Sequence, residues 1–278
     1  MREYGEEMGS LGWHPGWDGH LLLLYGEETQ RRAGVAAWVR RGLQLGAKIF
    51  YTEPREQPAA GSLAETLEDE PAALEAMERG QLETVPADPS AYDPAFMTHV
   101  VDGALSRGYT SVRWAGDAST ARSLIPPARH HVVERATDRL CRSRPLSVLC
   151  QYATPEAWHS VDSLVEGHSA GLRCRLFQAV RVDGGLAVAG ELDVSNHEHL
   201  RELMASTTAS RPGEPFVLDL CLVRFVDLAA ARALLLGTRD LRDAGRLLLR
   251  APQPQVAELL RLVGVDRMDG IVVEGGTQ

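Results

Sequence analysis

Three groups of residues in this sequence have types that could do chemistry. The first is a set of imidazoles, a thiol and phenols: His20 and Tyr25 bracketing the run HLLLLY, the tripeptide Cys150-Gln151-Tyr152, and His168. Imidazole and thiolate are zinc ligands, and a phenol or imidazole can orient a small polar ligand. Each also has a structural role open to it: Cys150 as a small core residue, Tyr25 and Tyr152 as half-buried aromatics, His20 and His168 as hydrogen-bonded histidines. The four cysteines, Cys141, Cys150, Cys174 and Cys221, form no C-x-x-C pair and no zinc spacing, so they read as buried reduced thiols. No metal or cofactor is expected, with zinc through His20, Cys150 and His168 the lesser alternative. The second group is the imidazole pairs His130-His131 and His197-x-His199. Joint ligation from a helix needs residues four apart, so both pairs are expected on exposed helical surface. The third is Lys48, the only lysine in a chain whose other basic residues are arginine, the mark of a GC-rich coding bias.

A phosphate-binding loop needs several glycines with N–H groups aimed at phosphate, a lysine, and a Ser or Thr for magnesium. The first strand-to-helix segment, YGEETQRRAG, has Gly26 alone ahead of the helix, no lysine, and Glu27 and Glu28 where a triphosphate would lie. It repels the expected ligand, and an active NTPase is not expected. No Ser/His/Asp set, G-x-S-x-G elbow or pair of catalytic carboxylates can be picked out by spacing; Glu191 and Asp193 share one side of a strand. The residues left are those of a binding protein, and open α/β sheets place ligands at the carboxyl ends of their strands, where Tyr25 and Tyr152 stand. His20 begins its strand and should lie toward the opposite edge.

The elements that position these groups follow from apolar periodicity. HLLLLY, residues 20–25, is a continuous apolar run suited to a parallel sheet covered on both faces. From Thr29 to Leu45, Val35, Trp38, Val39 and Leu43 form one helical stripe, Arg31, Arg32, Arg40 and Arg41 point elsewhere, and Gly46 ends the helix. KIFYT, 48–52, completes a β-α-β unit. A Ser62-x-x-Glu65 capping signal, a helix from Pro71 to Gly80 and a strand at 81–85 follow. The spacing then predicts a helix from Asp93-Pro94 to Gly108, a strand over 109–115, a helix over 127–142, a strand over 146–152 and a helix over 155–165. The tight turn Asp183-Gly184-Gly185 opens a different unit with a hairpin. A helix over 196–204, a turn at 211–215, a strand over 216–220, a helix over 228–244, a strand over 246–250 and a helix over 253–263 complete it. Two domains are expected, 1–170 and 173–278.

A chain of 278 residues that is 44% hydrophobic and 24% charged buries at least one full core, which excludes disorder. The run Leu21 to Leu24 falls far short of the roughly 20 residues of a membrane span, and no leader pattern opens the sequence, so a soluble cytoplasmic protein is expected. Residues 53–93 hold eleven acids against two bases, which accounts for the whole net charge of -9. The remainder is balanced and has no basic stripe, so neither nucleic acid nor membrane is an expected partner. The acidic stretch reads as a solvated helical face.

The C-terminal hundred residues resemble the STAS domain, the anti-sigma-factor antagonist fold. The matching segments are GELDV at 190–194, FVLDLCLVRFVDLAAARALLLG at 216–237, LLLRAPQPQV at 247–256 and ELLRLVGV at 258–265. Family members carry a phosphorylatable serine or threonine at the start of the central helix, where this chain has Asp227-Leu228-Ala229-Ala230. The resemblance implies a partner surface at Asp193, Asp227, Leu228, Ala229 and Ala230, with no phosphorylation there; Asp227 alternatively serves as a helix N-cap.

Residues 19 to about 170 resemble the MEDS domain, a sensory domain named from methanogen and methylotroph regulators and itself similar to RecA-type and KaiC-type ATPases. Its H-x-C-x-x-Y signature reads His20-Leu21-Leu22-Leu23-Leu24-Tyr25, the end of its first helix Gly42-Leu43-Gln44-Leu45-Gly46-Ala47, its late strand Cys150-Gln151-Tyr152, and a histidine follows at His168. Leu22 stands at the first cysteine of the pattern, so a two-cysteine metal or redox site lacks one ligand. The implied fold is α/β throughout: an N-terminal RecA/KaiC-like parallel sheet with flanking helices, then a STAS α/β domain. The implied ligand residues are His20, Tyr25, Cys150, Tyr152 and His168.

Together the resemblances imply a non-catalytic regulator of the actinobacterial type, acting in stress signalling and transcription control. One domain senses a small ligand or condition, and the other binds an anti-sigma factor of the kinase type or a related signalling protein. The alternatives are a degenerate RecA-like nucleotide-binding protein, whose turnover would depend on Lys48 or Glu53, and a structural dimerisation scaffold. A homodimer is the default oligomer.

Overall fold

In the computed structural model, residues 18–55, 62–153, 167–174, 177–209, 214–237 and 246–274 are described. The chain divides between Ala170 and Gly171 into two compact units.

The leucine run forms strand β1 (His20–Tyr25), buried up to its last residue. Its carboxyl end turns at once into helix α1 (Glu28–Gln44), which buries Val35, Trp38 and Val39 on one stripe. Gly34 of α1 lies where a Cβ would stand 2.9 Å from Leu23, so this glycine lets the helix close on the strand. Strand β2 (Lys48–Glu53), helices α2 (Leu63–Thr66) and α3 (Pro71–Glu78), and strand β3 (Leu82–Pro86) come next. They are followed by α4 (Pro94–Ser106), β4 (Val112–Asp117), α5 (Ala118–Leu124), α6 (Pro127–Ser143) and β5 (Leu146–Ala153). Ser62 caps α2, accepting from the N–H of Glu65 at 3.2 Å, as its capping signal requires.

Within this unit the strands are ordered β1-β5-β4-β2-β3, every pair parallel. The chain runs outward to β3 and then returns through β4 to β5. With right-handed crossovers, the outward and returning helices fall on opposite faces. Accordingly α1 packs against α2 and α3, while α4 packs against α6. Because side chains alternate along a strand, β5 sends Cys150 and Tyr152 to the α6 face and Gln151 to the α1 face.

The second unit contains β6 (Gly171–Arg173), β7 (Phe177–Val182), β8 (Gly185–Leu192), α7 (His197–Ala209), β9 (Phe216–Val226), α8 (Leu228–Gly237), β10 (Leu247–Arg250), α9 (Pro254–Leu262) and β11 (Ile271–Glu274). Strands β6 to β8 are antiparallel, and β8 to β11 pair in parallel. The β7–β8 hairpin turns at Gly184, whose φ of 82° favours glycine. A Cβ on Gly185 would fall 1.8 Å from the Val217 carbonyl oxygen.

Several elements differ from the periodicity. Strand β4 starts at Val112 rather than 109 and runs to Asp117, because its buried residues are Val112 to Ala115. Strand β9 continues to Val226, and α5, β6 and β11 carried no pattern long enough to read. The helix expected over 155–165, and that over 228–244 beyond Gly237, fall on residues outside those described. The acidic stretch is also less solvated than composition implied, since Glu65 and Glu70 pair with Arg32 and Arg40 of α1.

Candidate functional site

Beneath α6 the first unit buries a cluster of electron-pair donors. His20 opens β1, Cys150 and Tyr152 alternate along β5 on the same face, and α6 lays His130, Glu134 and Asp138 over them at a spacing of four. His168 stacks on His20, with ring centroids 4.2 Å apart and 28° between planes. Glu134 is the hub. Its Oε2 lies 3.1 Å from His20 Nε2, 3.4 Å from His168 Nε2 and 3.7 Å from Cys150 Sγ. Its Oε1 accepts from the Tyr152 hydroxyl at 2.9 Å and lies 3.3 Å from His130 Nε2. His20 Nε2 is 3.3 Å from Cys150 Sγ. The other nitrogen of His20, Nδ1, faces the Gly167 carbonyl at 2.6 Å; a carbonyl only accepts, so Nδ1 carries a proton there and in the neutral ring Nε2 is left as a donor of electrons.

Burial alone would raise the Glu134 carboxyl, but His168, His20 and His130 more than offset it and hold the group well below the usual carboxylate range. Burial followed by the Glu134 charge pushes the Cys150 thiol and the Tyr152 phenol well up, so both keep their protons. Burial lowers His130, with Glu134 opposing. A cavity of about 50 Å³, lined in part by Tyr92, Ala118, Ala121, Glu134 and Cys150, adjoins the cluster.

Tyr25 is elsewhere. It ends β1, and its hydroxyl donates to Asp117 at 3.0 Å; burial and then Asp117 raise its pKa. The α1 face near this end holds a second polar set around Arg31. Arg31 donates to Glu28 at 2.8 Å, the Tyr51 hydroxyl at 2.8 Å and Gln151 Oε1 at 3.1 Å. Burial opposes its charge, yet Glu28 and Tyr51 raise its pKa overall. Lys48 is buried at the start of β2, where Nζ donates to the Gly80 carbonyl and pairs with Glu83, each at 2.5 Å.

The structure corrects three surface assignments. His130 and His199 are buried rather than exposed, at 6% and 8%. The His130-His131 adjacency hid the spacing that mattered, His130 to Glu134 to Asp138, and that stripe was legible. Arg31 points inward at 6% exposure because Glu28 and the Tyr51 and Gln151 oxygens satisfy it. Glu134, the centre of the cluster, escaped the sequence reading altogether.

In the second unit, Asp227 precedes α8 and accepts from the N–H of Ala230 and of Val194, each at 2.8 Å. It therefore caps α8 and ties in the loop after β8, where Asp193 accepts from the Ser195 N–H at 2.8 Å. Leu228, Phe225 and Val194 are exposed at 58%, 49% and 68%. Ala229 is half-buried, while Ala230 is fully buried and does not share that surface. Among the described residues, no helix is long and apolar enough to cross a membrane.

Comparison with known proteins matches residues 19–163 to the family described as MEDS, the methanogen/methylotroph DcmR sensory domain, and residues 176–274 to the family described as Mlab, STAS domain. No curated protein matches. Among solved structures, an anti-sigma factor antagonist from Mycobacterium paratuberculosis is similar at 21% identity, over 34% of this chain and 82% of that one, with a TM-score of 0.29. The anti-sigma factor antagonist SpoIIAA in its unphosphorylated form is similar at 21% identity, over 36% and 88%, with a TM-score of 0.30. The flagellar accessory protein FlaH from Methanocaldococcus jannaschii is similar at 11% identity, over 61% and 75%, with a TM-score of 0.36. The first match spans more than half of the chain, so this protein belongs to the MEDS sensory-domain family, with a STAS domain following its MEDS domain.

Proposed function

We propose that this chain is a cytoplasmic, non-catalytic signalling regulator. Its MEDS domain senses a small ligand or condition through His20, Glu134, Cys150, Tyr152 and His168. Its STAS domain binds an anti-sigma factor of the kinase type, or a related stress-signalling protein, without being phosphorylated. The observation that carries the reading is the start of α8, where a capped helix end offers Asp227 and exposed Leu228 beside Phe225 and Val194, with no hydroxyl in the sequence Asp227-Leu228-Ala229-Ala230. A phosphoryl switch needs an acceptor oxygen and works by adding about -2 charge. An apolar surface without that oxygen favours contact that ATP does not switch off. Control then falls to the MEDS domain, whose ligand has to bind two arrangements of the protein with different affinity.

Two placements support a non-catalytic reading. Glu28 opens α1, where phosphates would sit, and is already held by Arg31, and Lys48 is buried at the opposite end of its strand against Glu83. The test is calorimetry of the full chain with a purified kinase-type anti-sigma factor, with and without ATP. Binding that survives ATP, leaves the chain unphosphorylated, and weakens at least about tenfold in Leu228→Glu is expected, a loss of about 1.4 kcal/mol. Phosphoryl transfer to the STAS domain, or full affinity in Leu228→Glu, contradicts the reading. The same exposed side chains favour a homodimer as the second reading, which a shift from dimer to monomer in Leu228→Glu on sedimentation would support.

A further inference from the structure

We infer that His20, Glu134, Cys150 and His168 form a four-ligand site for a divalent transition metal of the zinc class. One ligand atom from each of the four residues lies within 4.8 Å of all the others. A tetrahedral ion with N, O and S ligands at about 2.0–2.3 Å requires ligand-to-ligand edges of about 3.3–3.8 Å. Four of the six edges are 3.1, 3.3, 3.4 and 3.7 Å, close to that span without rearrangement.

The surroundings match the requirements of such a site. The Gly167 carbonyl takes the Nδ1 proton of His20 and turns Nε2 inward, the outer-shell arrangement that orients metal-bound histidines. His20 and His168 are fully buried, which excludes competing water. Two imidazoles, a thiolate and a carboxylate in tetrahedral array suit zinc better than the harder, six-coordinate cations. Binding replaces the Cys150 thiol proton with the metal, and the proton leaves to solvent. Four protein ligands close the coordination sphere, so the ion holds β1, β5, α6 and the segment at His168 together rather than activating water. As a statement about signalling, this names the ligand of the sensory site proposed above and rests on that reading; as a statement about binding, it stands alone.

The test is anaerobic titration of the reduced full chain with Co²⁺, followed by competition with Zn²⁺. One equivalent is expected to give intense visible bands of tetrahedral cobalt and a near-ultraviolet thiolate-to-cobalt band, both displaced by Zn²⁺. Cys150→Ser is expected to abolish the thiolate band, and His168→Asn to weaken Zn²⁺ binding more than about 100-fold, beyond the usual loss for an outer-shell partner. Cys221→Ser, in the STAS domain and not among the four ligands, is expected to change neither. Circular dichroism of each variant separates loss of ligand from loss of fold. Weak six-coordinate cobalt bands in the wild type, or a thiolate band that persists in Cys150→Ser, overturn the proposal and leave the sensory reading open to another ligand. Tight zinc binding with no change in anti-sigma-factor affinity upholds the metal site and defeats only its sensory use.

Discussion

The two faces of the N-terminal sheet solve the burial of polar groups in opposite ways. On the α1 face a permanent cation, Arg31, is surrounded by oxygens from Glu28, Tyr51 and Gln151. Its charge and its donors are matched by acceptors within the protein. On the α6 face the groups around Glu134 are themselves Lewis bases, and among the described residues its ion-pair partners are imidazoles. Such a set is balanced only by protons or by a metal ion, and either can come and go. Strand β5 feeds both faces from three consecutive residues, Cys150, Gln151 and Tyr152. In the reading proposed above, the α6 face is the one that senses.

Trp38 and Trp114 are buried in the first unit, so tryptophan fluorescence reports on its unfolding. The largest effect is expected for Glu134→Ala, which strips three imidazoles of their shared carboxylate and should cost about 3–5 kcal/mol in urea. Arg31→Ala should cost less, about 2–3 kcal/mol, from the buried Tyr51 and Gln151 oxygens that lose their charged donor. A smaller loss from Glu134→Ala than from Arg31→Ala would reverse the contrast between the faces. In the second unit Asp227→Ala should remove about 1 kcal/mol through loss of the α8 cap, read from helical circular dichroism on melting.

The smallest effect is expected at Lys48, a buried cation with a single carboxylate partner. Burial lowers its pKa from 10.5, with Glu83 opposing. A base whose folded pKa lies below its unfolded one leaves the unfolded chain holding more protons between the two values. Its contribution to stability therefore rises with pH through the window ending at 10.5. Lys48→Met should be near neutral or stabilising at pH 7 and should flatten that alkaline rise in urea midpoints. An unchanged slope would show that Lys48 is not the group responsible.

Strands β1, β2 and β5 were legible because each is a short, largely apolar run, and α1 because Val35, Trp38 and Val39 repeat at helical spacing. The cluster was only half legible. His20, Cys150, Tyr152 and His168 stood out by type and by resemblance, and the structure brings these four together while placing Tyr25 on Asp117. Glu134 was missed because an acid in a helix rich in arginine reads as surface, and its burial depends on partners 114 residues before it in β1 and 16 after it in β5. Arg31 was missed for the same reason, its acceptors lying on β2 and β5. The stripe His130, Glu134, Asp138 carried the signal, but adjacency of His130 and His131 drew attention to the wrong spacing. Helix α5, of seven residues, is too short to show a periodicity.

The most direct measurement is zinc K-edge X-ray absorption on the full chain loaded with one equivalent of Zn²⁺. A four-coordinate ion is expected, with one sulfur at about 2.3 Å and nitrogen or oxygen ligands at about 2.0–2.1 Å, the sulfur shell vanishing in Cys150→Ser. A shell of nitrogen and oxygen alone in the wild-type protein would contradict it and return the α6 face to a proton-balanced network.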